Sequence, residues 1–131
     1  MRNTKPMATL DGRYPYQVPI DAYGNGGFRF ADMSHKGSIL CLPSGIHAWH
    51  LSDAEQVSMA DFAAVLADAA GIEVLLFGTG LTHVMPPADL RRQLGEAGIG
   101  LEPMTTGSAA RTYNILLGER RKVAAALVAV A

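Results

Sequence analysis

The residues with most to offer chemistry stand at two glycine-containing turns, Gly78-Thr79-Gly80 and Thr105-Thr106-Gly107-Ser108. Glycine lets backbone amides approach an anion closely, and threonine and serine hydroxyls add donors. Gly78-Thr79-Gly80 begins like a dinucleotide fingerprint, but that fingerprint needs a third glycine where this chain has His83. It also needs its helix to start at once, so that helix amides meet the pyrophosphate, and Pro86 and Pro87 delay it here. No cofactor is therefore expected, and the first turn reads as a tight connection. Topology makes a stronger case. If the strands ending at Gly78 and near Met104 are parallel, their carboxyl ends share the sheet edge where open α/β sheets bind ligands. That edge would gather Gly78, Thr79 and Gly80 with Thr105, Thr106, Gly107 and Ser108. The amides of Gly107 and Ser108 would open a helix, with Arg111 one turn further in, a place that suits an anion. The same residues also fit a capped helix whose hydroxyls satisfy its own amides.

Arg111 and Asn114 are three apart, so on a helix they share a face. Thr112 and Asn114 are mediocre helix formers, which points to a special requirement at this place. Two readings are open: the pair binds backbone or a partner from that face, or it belongs to an interior hydrogen-bond network. The histidines nominate no metal site. His47 and His50 fall on opposite faces of a strand, and His35 and His83 stand apart. Cys41, the one cysteine, lies between Leu40 and Leu42, where burial raises its pKa and makes it inert. Ser44 has no nucleophile elbow around it. Asp53, Glu55 and Asp61 suit a helix start. No catalytic residue is nominated, and the reading inclines to a non-catalytic protein.

The elements that must position these residues are legible as patterns. Residues 1–16 show no period and read as a loose lead-in, with a single α/β domain over 17–131. From Gly26 to Leu51 the pattern is β. Phe28 and Phe30 alternate with Arg29, an apolar run over 37–43 closes at Pro43, and 45–51 form a next strand, together an antiparallel meander. Met59, Phe62, Leu66 and Ala69 then line one face of a helix that opens at a Ser58/Asp61 capping box and ends at Gly71. Residues 73–78 are a strand covered on both faces. A helix opened by Pro86 and Pro87 buries Leu90, Leu94 and Ala97 and stops at Gly98. A short strand over 99–104 follows. The next helix, capped by Thr105 or Thr106, carries Ala109, Tyr113 and Leu116. Residues 118–121 read as a turn, and 123–130 fit helix or strand by composition; strand is preferred, because a βαβ unit needs one there. The expectation is an α/β three-layer domain on a mixed sheet, with a β-α-β-α-β second half and an N-terminal antiparallel meander.

The chain has 131 residues, enough for one core, with 49% hydrophobic and 18% charged residues. The formal charge of −1 lacks the basic excess of a nucleic-acid binder. The short cluster Arg120, Arg121 and Lys122 reads as a solvated turn. No apolar signal core opens the chain, and the tail over 123–131 is short of the roughly 20 residues that span a bilayer. The expectation is a cytoplasmic protein without direct membrane insertion. Its modest surface charge suits a protein partner or a homo-oligomer.

Taken in order, the segments Tyr23-Gly-Asn-Gly-Gly-Phe28, Gly37-Ser-Ile-Leu-Cys-Leu-Pro43 with Trp49 after it, Leu75-Leu-Phe-Gly-Thr-Gly80, Met104-Thr-Thr-Gly-Ser-Ala-Ala-Arg-Thr-Tyr-Asn114 and Glu119-Arg-Arg-Lys-Val-Ala-Ala-Ala-Leu127 resemble one small family. It includes the mitochondrial NADH:ubiquinone oxidoreductase (complex I) assembly factor three, an adipogenesis-associated cytosolic protein and many bacterial proteins of unknown role. The resemblance covers roughly residues 18 to 130. It implies a three-layer α/β domain, no established catalytic residue, no established cofactor and, for the mitochondrial relative, assistance to complex I assembly by binding proteins. Without a targeting presequence, this chain looks like a bacterial-type member. Two functions follow as expectations. One is a protein-binding accessory factor using the meander face around Phe28, Phe30 and Trp49, aromatics that either anchor an interface or fill the core. The other is a small anionic-ligand-binding protein or enzyme using the sheet edge near Gly80 and Arg111.

Overall fold

The computed structural model describes residues 14–131. Most of the expected lead-in, residues 1–13, lies outside them. Tyr14, the first described residue, pairs with Ile46 at a sheet edge.

The meander divides between two sheets. Strands β1 (Ala22–Gly24), β2 (Gly27–Phe30) and β3 (Met33–Lys36) form an antiparallel three-stranded sheet. Strands β4 (Ser38–Leu42) and β5 (Gly45–Trp49) join β6 (Val74–Gly78), β7 (Gly100–Met104) and β8 (Val123–Leu127) in a five-stranded sheet of order β5-β4-β8-β6-β7. The pairs β6–β7 and β6–β8 are parallel, and β4 is antiparallel to both of its neighbours. The sheet is therefore mixed. Pro103, which cannot donate to a ladder, is tolerated because β7 is an edge strand.

Alternation along the central strands builds two cores. Leu40, Leu42, Leu75, Phe77, Ala124 and Ala126 point to one side. There they meet Phe62 and Val65 and the buried stripe Leu90 and Leu94. Val65 belongs to helix α1 (Ala63–Ala67), and Leu90 and Leu94 to helix α2 (Ala88–Glu96). Ile39, Cys41, Leu76, Val123, Ala125 and Leu127 point to the other side, onto helix α3 (Thr106–Gly118) and the three-stranded sheet. The five-stranded sheet is thus the middle of three layers. Ala125, the β8 alanine on that side, leaves room for α3 to lie close to the sheet.

Phe28, Phe30 and Trp49 are buried, so of the two readings, interface anchors or core, they take the second, and the meander face around them is not the binding surface. Phe28 and Phe30 do share a face, but it is turned into the core against α3. Trp49 lies in the opposite core, with ring centroids 5.6 Å from Phe62 and 6.0 Å from Phe77.

The helix expected from Ser58 to Gly71 is broken. A 3-10 turn (Met59–Phe62) precedes α1, and another (Ala69–Gly71) follows it. Tertiary bonds compete with a regular helix here. The Trp49 indole donates to the Asp61 carbonyl at 2.8 Å, and the Asp68 carboxylate accepts from the Ser44 N–H at 2.9 Å. The expected apolar face survives, because Met59, Leu66 and Ala69 pack on the core beside buried Phe62. The reciprocal half of the capping box is present: Asp61 accepts the Ser58 N–H at 2.8 Å. Gly71 ends the segment without positive φ, and its missing side chain makes room for the Pro43 ring. Gly98 does terminate α2 in the left-handed region, with Ile99 N–H bonded to the Leu94 carbonyl at 3.0 Å, a Schellman end.

Candidate functional site

Parallel pairing of β6 with β7 sets Gly78 opposite Met104, so the two glycine turns leave the sheet side by side. The expected gathering takes place, and its groups are bonded to one another. Gly80 N–H donates to Thr106 Oγ1 at 2.9 Å, and Thr106 N–H returns to the Gly80 carbonyl at 2.9 Å. The buried Thr106 hydroxyl donates to the Val128 carbonyl at 2.7 Å. Thr79 Oγ1 donates to the Thr82 carbonyl at 2.6 Å and accepts the Val84 N–H at 3.0 Å. Thr105, rather than Thr106, is the N-cap of α3, with its hydroxyl facing Ser108 N–H at 3.4 Å. A side chain at Gly78 would meet the Thr106 Cα at 2.9 Å, so glycine there lets the start of α3 reach the end of β6. This half of the site is a hydrogen-bonded clasp between β6, α3 and the segment after β8.

One turn along α3 the character changes. Gly107, Ala110, Arg111 and Asn114 line an open hollow of about 520 Å³ with the stretch over 20–23. Asn114 is turned to backbone. Its Oδ1 accepts from Ile20 N–H and its Nδ2 donates to the Ile20 carbonyl, both at 2.8 Å. In effect the side-chain amide serves as a strand neighbour for residue 20. Tyr113 donates its hydroxyl to the Val18 carbonyl at 2.7 Å, and Gln17 donates to Val123 at 2.6 Å. The unusual Thr112-Tyr113-Asn114 run therefore straps the entering chain to α3. Arg111 is exposed, and no hydrogen bond or ion pair holds it among the described residues. Tyr23, half-exposed, lays its hydroxyl over Gly107, where any side chain would displace it.

Burial pushes the Cys41 thiol up to about 12 and raises the Tyr113 phenol above its ordinary value, so both are neutral core groups. Partial burial works to raise Asp61, but the Ser58 N–H and the His50 imidazole beside it bring it below the ordinary carboxylate range. His50 meets Asp61 at 2.6 Å, whereas His47 shares a hydrogen bond of 2.9 Å with Ser44 Oγ, so the two histidines serve different partners.

Sequence reasoning overlooked the stretch over 20–23, whose role depends on the fold. It also overlooked Leu81 and Met85, 74% and 65% exposed in the loop after β6. Apolar residues in a loop carry no period, so only the finished fold separates exposed ones from buried Pro86 beside them. What this surface can do is bind. A guanidinium without a partner, a phenol and exposed apolar side chains offer contacts to a second molecule.

Fold and surface define a three-layer α/β domain that buries its aromatic meander and leaves a hollow and an apolar loop open. The chain belongs to the family described as "Protein of unknown function (DUF498/DUF598)", which it matches over residues 20–128. It is 38% identical over 122 residues to an uncharacterised protein of Rhodobacter capsulatus, covering 93% of each chain. It is 25% identical to the mouse "NADH dehydrogenase [ubiquinone] 1 alpha subcomplex assembly factor 3", covering 93% of this chain and 66% of the mouse protein. Among solved structures it is similar to one described as an outer membrane protein from Bartonella henselae, with TM-score 0.86 and 51% identity over 90% of this chain and 99% of that one. Among the described residues no helix is long and apolar enough to cross a membrane.

Proposed function

We propose that this chain is a non-catalytic, protein-binding accessory factor that acts in the assembly of a respiratory or other membrane complex, from the cytoplasmic side. The observation that carries this reading is the alignment, over 93% of this chain, with a protein named as an assembly factor of the NADH dehydrogenase alpha subcomplex. The surface fits it. Leu81 and Met85 are large apolar side chains held in water by a loop whose root is clasped to α3 through Gly80 and Thr106. Such side chains have most to gain from covering by a partner. In this mechanism the domain covers an apolar surface of an immature subunit and releases it once the subunit is assembled. Self-association through the same side chains would make a homo-oligomer.

The test is affinity purification of the tagged protein from its own cells, with mass spectrometry of what co-purifies. Respiratory-complex subunits or a second assembly factor, absent from a tag-only control, are the expected result. A clean protein without partners would overturn the reading. Light scattering on the purified chain checks self-association, and cell fractionation checks the compartment.

A second reading is favoured by the unpaired Arg111 on the hollow beside Gly107 and Asn114. There the sheet edge near Gly80 and Arg111 binds a small anion. Arg111→Ala would abolish that binding and leave the fold intact, since the side chain is exposed.

A further inference from the structure

The three-stranded sheet turns one face to the core and the other to solvent. Its register forms three cross-strand rows: Ala22, Arg29 and Ser34; Tyr23, Phe28 and His35; Gly24, Gly27 and Lys36. Side chains alternate along a strand, so the middle row, with buried Phe28, faces inward and the outer two share the opposite face. That opposite face carries an open hollow of about 300 Å³. Gly24 supplies no side chain to fill it, Gly27 lets the β3 backbone approach closely, and Arg29, Ser34 and Lys36 line it.

The charge of this hollow differs from that of the whole chain. The chain as a whole carries −1, yet the lining holds two permanent cations and no carboxylate. Two acids flank the lining in sequence, Asp21 and Asp32; Asp21 lines the hollow on the other side of β1, and Asp32, exposed in the turn between β2 and β3, lines neither. Neither Arg29 nor Lys36 has an ion pair or side-chain hydrogen bond among the described residues. Arg29 and Lys36 are diagonal neighbours on adjacent strands, a spacing of about 7–8 Å at the backbone. Two long cationic side chains at that spacing repel each other, and an anion between them draws both heads in. A guanidinium offers a planar fork to phosphate oxygens, and an ammonium adds a point charge. The Ser34 hydroxyl supplies a neutral donor in the same row as Arg29.

We propose that this hollow binds a small phosphate-bearing dianion between Arg29 and Lys36, with Ser34 as third donor. The site is separate from the Arg111 edge and does not depend on the accessory role. Its ligand is either a soluble phosphate compound or a lipid phosphate headgroup, and the chemistry of recognition is the same for both.

The test is a titration of the ¹⁵N-labelled full chain with inorganic pyrophosphate at constant ionic strength, with chloride as the control anion. Saturable shifts of the amides over 24–29 and 34–36 are expected with pyrophosphate and not with chloride. Arg29→Gln and Lys36→Gln should each weaken binding about tenfold, the loss of one charge-assisted contact. The double variant should not bind. The swap R29K with K36R, which keeps both charges, should retain binding and so separates loss of charge from loss of fold. Flotation with phosphatidylcholine vesicles containing phosphatidic acid identifies the source. Vesicle binding lost in the double variant assigns a lipid headgroup, and pyrophosphate binding without it assigns a soluble ligand. Unsaturable shifts, binding that survives in the double variant, or shifts centred on 105–111 would overturn the proposal.

Discussion

Arg120 closes α3 with a φ of +62°, where helices usually place glycine. Its N–H bonds the Leu117 carbonyl at 2.9 Å and that of Arg121 bonds Leu116 at 3.0 Å, the Schellman pattern that Gly98 completes for α2 without strain. An L side chain in the left-handed region costs about 1–2 kcal/mol, and glycine gives part of that back to the flexibility of the unfolded chain. Arg120→Gly is therefore expected to stabilise by about 0.5–1 kcal/mol, seen in urea as a higher midpoint with unchanged slope. Gly78→Ala should act in the opposite sense. Its new methyl meets the Leu127 side chain and the Thr106 backbone, and the backbone cannot move without pulling α3 off the sheet, so a loss of about 1–3 kcal/mol is expected. Asp61 adds a pH dependence. Its folded pKa is depressed, so its contribution is present above the unfolded carboxyl value of about 3.9 and is lost as pH falls through the folded one. Asp61→Asn should be less stable than the parent by about 1 kcal/mol at neutral pH, and denaturation at a series of pH values should show the difference closing below about pH 4.

At the scale of elements, alternation made β6 legible as a strand covered on both faces, and the turn before β8 decided between helix and strand there. Segment 58–71 misled because its apolar face is helical in spacing while its polar groups are claimed from outside, Asp61 by Trp49 and His50 and Asp68 by Ser44. Such bonds join residues distant in sequence and leave no local period. In α3 the local signal was sound and its meaning was open. Thr112-Tyr113-Asn114 is poor helix chemistry, and the structure gives Tyr113 and Asn114 a use, holding the backbone at 18 and 20. Replacing Asn114 by Leu removes two hydrogen bonds and leaves the Ile20 groups without them. A loss of about 2 kcal/mol is expected. Hydrogen exchange should place it, with the Ile20 amide losing protection while β6 and β8 keep theirs.

For the molecule as a whole, the three layers follow from two facts visible in the sequence, the uninterrupted apolar central strands and the helices between them. The binding surface does not follow in the same way. Which apolar side chains remain in water is decided after every layer has closed, and here closure takes Phe28, Phe30 and Trp49 inside and leaves Leu81 and Met85 outside. Those two sit in a loop rooted by the Thr79 hydroxyl, which accepts from Val84 and donates to Thr82, so the root is ordered while the tips are exposed. Their burial belongs to no part of the isolated fold, so Leu81→Ser with Met85→Ser should leave thermal stability within about 0.5 kcal/mol of the parent, as for surface changes generally. If an accessory role runs through this loop, the same double variant should lose the partners that the parent recovers from cells. Unchanged recovery, with stability also unchanged, would move the partner-binding surface to the hollow beside Tyr23 and Arg111. Arg111→Ala in the same purification would then decide whether protein recognition uses that hollow.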